Sequence, residues 1–351
     1  TKCSEYADLI GADGYRKNSW DNRLKGCSID SKHGVVYFNT HETGLGLAGP
    51  FETETIKSPT DLQASDSLGK YIAMSEKYAV VGFPGFPDTT KKNPQEGKAY
   101  IFEVSTGKLL HTIQAKDKTK WDNFGWRVAI GGPQGSHVIL SAVFAKNNAG
   151  VSAAGALYVF GADTGKQTSK ITVEDSDVAS YDVLGESLDI DDGYKVIAGA
   201  TWPNPNEKVL TVIAGATGYG SGGAAYIFNI RGTVKQLHKL TVSGTKKFGC
   251  SVGISGNFAV VGDKDDSDSK GAAYIFKVST GTMLHKITAK DGKKKDYFGY
   301  SIGIDGNYIV VGAKGVDNNK GAAYVYDTSG KQLHKLTVSD GKKNDKFGDQ
   351  H

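Results

Sequence analysis

Short apolar runs separated by glycine-rich turns set the rhythm of this chain. From Gly299, the run Tyr300–Ile304 meets a turn at Asp305-Gly306-Asn307, and Tyr308–Gly312 follows. Ala322–Tyr326 is the next run, and Thr328-Ser329-Gly330 closes it onto Gln332–Val338, where Leu333, Lys335 and Thr337 alternate with His334, Leu336 and Val338. Period-two alternation bounded by Gly, Asn, Asp and Ser predicts strands joined by tight turns. The unit therefore reads as four consecutive strands.

The unit recurs. Lys290–Ser339 laid over Thr241–Lys290 shows the same landmarks: Phe-Gly, a Gly-Asn turn, Val-Val-Gly, Gly-Ala-Ala-Tyr and Leu-His-Lys. A Phe-Gly or Leu-Gly pair falls at Gly69, Gly125, Gly185, Gly249, Gly299 and Gly348, at spacings of 56, 60, 64, 50 and 49 residues. Four-stranded units at such spacings predict an all-β fold, a β-propeller of four-stranded antiparallel blades whose closure removes exposed sheet edges. The ends fit closure. Ala7–Ala12 matches strand two, Gly34–Asn39 strand three and Phe51–Lys57 strand four, while Phe347-Gly348 supplies the missing start of strand one. Residues 1–351 thus form one domain of six blades, five beginning near Gly69, Gly125, Gly185, Gly249 and Gly299. The sixth combines about 1–60 with 346–351, three N-terminal strands plus one C-terminal strand.

Composition agrees and excludes several classes. Glycine supplies 46 of 351 residues, nearly twice its usual share, as many tight turns demand. The longest apolar run, Val138–Ala145, is eight residues long, far short of a membrane helix, so no transmembrane segment is expected. A formal charge of +4 from 42 basic and 38 acidic residues does not point to nucleic acid. Three cysteines are too few for a disulfide scaffold; Cys3 and Cys27 are a candidate disulfide, leaving Cys250 alone. The start at Thr1, without an initiator Met or apolar leader, fits a processed mature chain or a trimmed one. A secreted or cell-surface protein is the expectation.

Phe298-Gly299 with Ser301-Ile302, then Val311-Gly312-Ala313, then Gly321 with Tyr324-Val325-Tyr326 resemble FG-GAP repeats, the blades of the integrin α-subunit propeller and of many bacterial and algal extracellular proteins. The Gly249 unit repeats them almost residue for residue. The resemblance implies an extracellular binding or adhesion module, and integrin-type rings of seven blades make seven the alternative count here. The calcium loops implied by that resemblance are absent. The equivalent turns read Ile254-Ser255-Gly256-Asn257, Ile304-Asp305-Gly306-Asn307 and Ile190-Asp191-Asp192-Gly193, with one or two carboxylates where Ca²⁺ wants six to eight oxygens. No cofactor is required. Asp263, Asp265, Asp266 and Asp268 are the remaining weak Ca²⁺ candidate, weighed against a solvated acidic turn.

A pattern D-x4-D-x-[F/L]-G precedes the landmark at Asp61/Asp66, Asp117/Asp122, Asp177/Asp182, Asp291/Asp296 and Asp340/Asp345, and fails before Gly249, where Thr241 and Lys246 stand instead. Chemistry is done once per chain, so a fivefold pair reads as turn-fixing aspartates that accept backbone N–H groups. His111, His238, His285 and His334 all follow a Leu in strand four and read as blade architecture. No catalytic motif is present, which leans the reading away from an enzyme without closing the question.

Loops joining strands two to three and four to one share one face of a propeller. Three two-to-three loops are long: Tyr15–Ser31 carries Trp20 and Arg23, Phe83–Lys98 carries Phe83 and Phe86, and Ala200–Gly223 carries Trp202 and Tyr219. The same face collects Lys293, Lys294 and Lys295, with Lys116, Lys118, Lys120, Lys246, Lys247, Lys342 and Lys343. Aromatic loops beside cations suit a protein or anionic glycan partner. The leading expectation is a non-catalytic binding or adhesion propeller; the alternatives are a propeller enzyme of polysaccharide lyase or hydrolase type with a central-channel site, and a structural subunit of a larger assembly.

Overall fold

A computed structural model describes residues 26–30, 35–39, 71–84, 97–173, 178, 180–191, 210–218, 222–231 and 233–349. Within them lie five four-stranded antiparallel sheets and one two-stranded hairpin. The hairpin pairs β1 (Gly26–Asp30) with β2 (Val35–Asn39). Blade 1 holds β3 (Ile72–Met74), β4 (Tyr78–Phe83), β5 (Lys98–Glu103) and β6 (Leu109–Ile113); blade 2 holds β7 (Phe124–Gly131), β8 (His137–Ala142), β9 (Ala156–Gly161) and β10 (Gln167–Ile171). Blade 3 comprises β11 (Ser187–Asp191), β12 (Leu210–Ala216), β13 (Ala224–Arg231) and β14 (Thr233–Leu240). Blade 4 runs through β15 (Phe248–Ser255), β16 (Phe258–Asp263), β17 (Ala272–Lys277) and β18 (Thr282–Ile287); blade 5 through β19 (Phe298–Asp305), β20 (Tyr308–Ala313), β21 (Ala322–Asp327) and β22 (Gln332–Leu336). The chain is a β-propeller array: strands pair in sequence order in every blade, and the first strands of successive blades meet one another.

The landmark explains how blades join. In blade 5 the register skips from Phe298↔Ala313 to Ser301↔Gly312, so Gly299 and Tyr300 bulge out of the ladder. Gly299 sits at φ +84°, and a Cβ there would lie 2.3 Å from the Ala272 carbonyl oxygen of blade 4. Only glycine allows that crossing. Directly before it, Phe298 bridges in parallel to Gly271, and the same stitch recurs as Gly97↔Phe124, Gly155↔Leu184, Gly223↔Phe248 and Gly321↔Phe347. The stitching Phe is wholly buried and stands edge-on to its own blade's third strand: Phe298 lies 5.5 Å from Tyr324, Phe248 5.5 Å from Tyr274 and Phe124 5.5 Å from Tyr158. The four hydrophobic clusters accordingly lie between blades. One of them joins Val260, Ala273 and Ile275 of blade 4 to Phe298, Ile309 and Tyr324 of blade 5.

A hydroxyl completes the stitch in three places. Ser187 Oγ donates to the Gly249 carbonyl at 2.8 Å, Ser251 to Gly299 at 2.7 Å and Ser301 to Gly348 at 2.9 Å. On the opposite face, Asp191 Oδ2 accepts from Gly256 N at 2.9 Å and Ser255 Oγ from Gly306 N at 3.1 Å, tying neighbouring one-to-two turns together. Those turns are the two-residue hairpins expected: Ser255 pairs with Phe258 and Asp305 with Tyr308.

Two expectations are corrected. Tyr15–Ser31 is not all loop, since Gly26–Asp30 forms β1 and is the antiparallel partner of Val35–Asn39; the alternation Cys27-Ser28-Ile29-Asp30 ahead of a turn ending at Gly34 is a short hairpin signal. Nor is Ala200–Gly223 all loop. The string Val-Ile-Ala-Gly-Ala-Thr occurs twice, at 196–201 and 212–217, and the second copy is strand two of blade 3, pairing Ala216 with Ala224. The first copy, Ala7–Ala12 and Phe51–Lys57 lie outside the described residues.

Blade 5 differs from blade 4 in what covers it. Val310 is 42% exposed where its counterpart Val260 is 0%, and Leu336 is 43% exposed where Ile287 is 3%. Phe347 N donates to Lys320 O at 2.8 Å and Asp349 pairs with Lys314 at 3.3 Å, so the C-terminal segment is already stitched to this blade. Deleting Lys346–His351 removes that stitch and the Ser301 acceptor together. It should lower the melting temperature by several degrees in a thermal scan; an unchanged curve would refute closure through this segment.

Candidate binding face and channel mouth

The repeated aspartates are architectural, and their geometry shows how. The second of each pair closes a tight turn: Asp122 Oδ2 accepts from Thr119 N at 2.7 Å, Asp296 Oδ2 from Lys293 N at 2.7 Å and Asp345 Oδ2 from Lys342 N at 2.5 Å. The first locks the blade that follows it. Asp291 accepts the Tyr324 hydroxyl at 3.0 Å and the Lys335 ammonium, and Lys335 chiefly holds its carboxyl below the usual range. Asp117 accepts Lys170 Nζ at 2.6 Å beside Tyr158; burial opposes its charge, but Lys170 outweighs that and keeps the carboxyl low. Burial and the neighbouring carboxylate push the Tyr158 and Tyr324 phenols up. Asp340 is exposed in its turn and Asp182 accepts Gly218 N through its carbonyl, whereas Asp61, Asp66 and Asp177 lie outside the described residues.

Blade 4 shows that the lock is required even where the pattern fails. Thr241 and Lys246 replace the aspartates, yet Tyr274 and Lys286 still meet a carboxylate: Asp266 of the two-to-three loop accepts both at 2.7 Å. Burial opposes its charge, and Lys286, Ser267 and Tyr274 together hold it low. Asp263 takes over the turn, accepting Lys246 N and Lys247 N at 2.9 Å each, while burial raises its carboxyl. The four aspartates proposed for Ca²⁺ therefore face different partners. Asp265 accepts Ser269 Oγ at 3.1 Å and exposed Asp268 lies 3.9 Å from Lys294. Among the described residues no three His, Cys, Asp or Glu side chains form a metal-sized group. The loop itself is a left-handed turn, Ser267, Asp268 and Ser269 having φ of 48°, 63° and 63°, and Asp317-Asn318-Asn319 repeats it in blade 5.

The strand-four histidines space the blades. A Cβ on Gly165 would sit 2.6 Å from His111 Cγ, one on Gly281 2.8 Å from His238, and one on Gly330 3.2 Å from His285, each glycine belonging to the next blade's three-to-four turn.

On the loop face, Phe83 is corrected: it ends β4, is 5% exposed and packs 6.4 Å from Tyr100, because Val81 and Phe83 continue the strand's inward run. Trp20, Arg23, Phe86, Trp202, Tyr219 and Cys3 lie outside the described residues, and Cys27 lies on β1. Lys293, Lys294 and Lys295 are exposed, as are Lys116, Lys118, Lys120, Lys246, Lys342 and Lys343. Three exposed aromatics were not foreseen: Trp121 at 47%, Tyr181 at 58% and Phe144 at 41%. Trp121 and Tyr181 occupy the place of Lys295, directly before the second aspartate, at φ of 76° and 71°. Phe144 N donates to the Asp122 carbonyl, which sets it beside Trp121. The signal available was positional, an aromatic where another repeat carries lysine.

Where the first strands of successive blades meet, the bulge takes the residue after each landmark glycine out of the ladder, and Trp126, Glu186, Cys250, Tyr300 and Asp349 are all half-buried there. Arg127 stacks on Tyr71 at 4.1 Å and donates Nε–H to the Glu186 carbonyl at 2.8 Å; burial lowers its pKa. The Glu186 carboxylate takes the Thr217 hydroxyl. Lys314 Nζ lies 3.4 Å and Lys264 Nζ 5.0 Å from the Tyr300 ring centroid. Cys250 is a free thiol that burial pushes up to about 12, with Sγ donating to the Gly262 and Gly299 carbonyls. Below the mouth, burial pushes the Asp189 carboxyl up to about 6 although Ile254 N donates to it at 2.8 Å.

These features define a class: a propeller built from stitched four-stranded blades. The family model of the FG-GAP repeat matches residues 236–276 and 282–326, so the chain carries FG-GAP repeats. Each match starts in strand four of one blade and ends in strand three of the next, spanning the interblade lock. A comparison with curated protein sequences found no match. No helix among the described residues is long and apolar enough to cross a membrane.

Asp266→Ala strands Tyr274 and Lys286 and should cost about 1–3 kcal/mol in denaturant unfolding. Adding Thr241→Asp, which restores the carboxylate where other repeats keep it, should recover most of that loss; no recovery would break the equivalence of the two locks. For Asp189, a carboxyl that ionises at higher pH folded than unfolded loses stability as pH climbs from about 4 to about 6. Asp189→Asn keeps the acceptor for Ile254 N and should flatten the fall in melting temperature over that window, whereas an unaltered slope would contradict it.

Proposed function

We propose that this propeller is a non-catalytic, extracellular binding or adhesion module, secreted or held at the cell surface, that recognises a protein or anionic glycan partner through the face carrying the two-to-three and four-to-one loops. The carrying observation is the concentration of exposed lysines and of Trp121, Tyr181 and Phe144 on those loops. Exposed aromatics on tight turns offer contact area at low entropic cost, and clustered cations attract an anionic partner. The FG-GAP repeats support a binding role. Binding is favoured over chemistry because burial pushes the Cys250 thiol well above its usual range and, among the described repeated carboxylates, Asp117 and Asp291 are engaged in locks.

The reading requires no cofactor. A glycan and protein array probed with the wild-type chain and with the combined variant Lys293→Glu, Lys294→Glu, Lys295→Glu is the test. Anionic ligands should bind the wild type, lose signal severalfold in the variant and weaken with added salt. Binding confined to uncharged ligands, or indifferent to the reversal, would sink it.

A further inference from the structure

Two aromatic side chains stand where the fold asks for small or polar ones. The residue directly before the second aspartate of the pair has a positive φ in each described case: 76° at Trp121, 71° at Tyr181, 67° at Lys295 and 72° at Asn344. Glycine and asparagine adopt that conformation readily, whereas a bulky side chain does so under strain. Asn344 suits this backbone and Trp121 does not. Packing does not repay the strain, since Trp121 is 47% exposed. Phe144 repeats the anomaly. It is the second residue after strand two, the place of Gly218 in blade 3 and of Gly315 in blade 5. All three donate N–H to the carbonyl of the turn aspartate, Phe144 to Asp122 at 3.2 Å, Gly218 to Asp182 at 3.4 Å and Gly315 to Asp296 at 3.1 Å. A Cβ on Gly315 would lie 1.8 Å from the Lys295 carbonyl oxygen, so a position with no room for a side chain in blade 5 carries, in blade 2, a ring that is 41% exposed.

The two residues share one surface because their segments are tied together twice. Besides the bond from Phe144 N to Asp122, Lys170 Nζ donates to the Lys146 carbonyl at 3.0 Å and to Asp117 Oδ2 at 2.6 Å, joining the two-to-three loop of blade 2 to the connection that carries Trp121. Buried Asn147 holds that loop from within, donating Nδ2–H to the Val173 carbonyl at 3.1 Å and accepting from Val151 N at 2.8 Å. The surface is preorganised, which lowers the entropic cost of binding. Lys120 precedes Trp121 in its turn and Lys146 stands two residues beyond Phe144; both are exposed, and neither is in an ion pair among the described residues. The carboxylates of the connection are already engaged, Asp117 by Lys170 and Asp122 by the Thr119 N–H and hydroxyl, so the patch is left positive.

This mixture of groups discriminates between partners. Protein interfaces concentrate aromatic residues but exclude lysine from their cores, and a surface that alternates ring and lysine lacks the continuous apolar centre of a protein contact. It suits a sugar chain. The electron-rich face of an aromatic ring attracts the polarised C–H groups of a pyranose, and ammonium groups take acidic substituents at the sugar's rim.

We infer that Trp121 and Phe144, with Lys120 and Lys146, form a binding platform for an acidic polysaccharide, its pyranose rings laid on the two aromatic side chains and its carboxylate or sulfate groups held by the two lysines. The inference rests on the binding reading above and narrows it from a whole face to one edge of blade 2, and from an unspecified partner to an acidic glycan.

The test is isothermal titration of the full chain with oligogalacturonate, with a sulfated galactan oligosaccharide, with uncharged cellohexaose and with polyglutamate. At least one of the first two should bind, and which one does separates carboxylate from sulfate. Trp121→Asn should weaken that binding about tenfold, the loss of one well-placed aromatic contact, with the melting temperature unchanged or raised because asparagine suits the turn. Trp121→Tyr should keep most of the affinity. Lys120→Gln combined with Lys146→Gln should weaken binding severalfold and flatten its salt dependence. If Trp121→Asn binds as the wild type does while the Lys293–Lys295 reversal abolishes binding, the platform is overturned and the face reading stands. A melting temperature several degrees lower in Trp121→Asn would make Trp121 a structural residue and overturn the premise. Cellohexaose binding as tightly as the acidic sugars, or polyglutamate doing so with equal sensitivity to Trp121→Asn, would overturn the acidic-glycan class. If neither acidic oligosaccharide binds, the platform falls, and the broader reading survives it only through a protein ligand that the Lys293–Lys295 reversal abolishes.

Discussion

Everything in this protein depends on one backbone crossing. At the described blade boundaries a glycine with φ between 84° and 91° brings the chain against the preceding blade, under a backbone carbonyl at Gly125, Gly249, Gly299 and Gly348 and against the Ser141 side chain at Gly185, so close that a methyl group would overlap it. The crossing does three things at once. It drives the preceding Phe or Leu into the interblade core, it presents a carbonyl that a serine of the preceding blade can bond, and it throws the following residue out of the ladder toward the channel. A wholly buried Phe side chain contributes about 1.5–3 kcal/mol by transfer alone, so repetition around the array makes the landmark its main cohesive element.

Because cohesion lies between blades, each blade must be held at a fixed angle to the next. The Asp–Tyr–Lys lock and the histidine stacked under a neighbour's turn glycine supply that outer constraint. Blade 4 is instructive: the carboxylate arrives from a different loop but reaches the same tyrosine and lysine. Selection of geometry over sequence position is what a structural role looks like. The bulge presents the reverse case, with constant geometry and a residue after the landmark glycine that varies from Trp126 through Glu186, Cys250 and Tyr300 to Asp349.

Much of this was legible in the residues. The alternation and turns of Tyr300–Val338 mark the four strands nearly to their ends, and the D-x4-D pattern marks the blade connections, because both are local features. Phe83 was read as a loop aromatic and is core, since nothing local distinguishes a strand's last inward residue from a loop's first. Trp121 and Tyr181 lie in turns, and their exposure is a property of what packs above them. Asp263 and Asp266 looked like a loose acidic loop because their partners, Lys246, Lys247 and Lys286, are supplied by other elements.

The amino-acid sequence by itself determined the repeat, its strands, its turns and its glycines, all consequences of φ preference and side-chain alternation within a few residues. Only the tertiary structure decided that the Val-Ile-Ala-Gly-Ala-Thr string at 212–217 supplies strand two of blade 3. Its place is fixed through long-range pairings, Ala216 with Ala224 and Gly215 beneath the Gly249 carbonyl, that no local property of the string encodes. The same holds for the mouth, where residues of different blades, far apart in the chain, become neighbours only once the blades are assembled side by side.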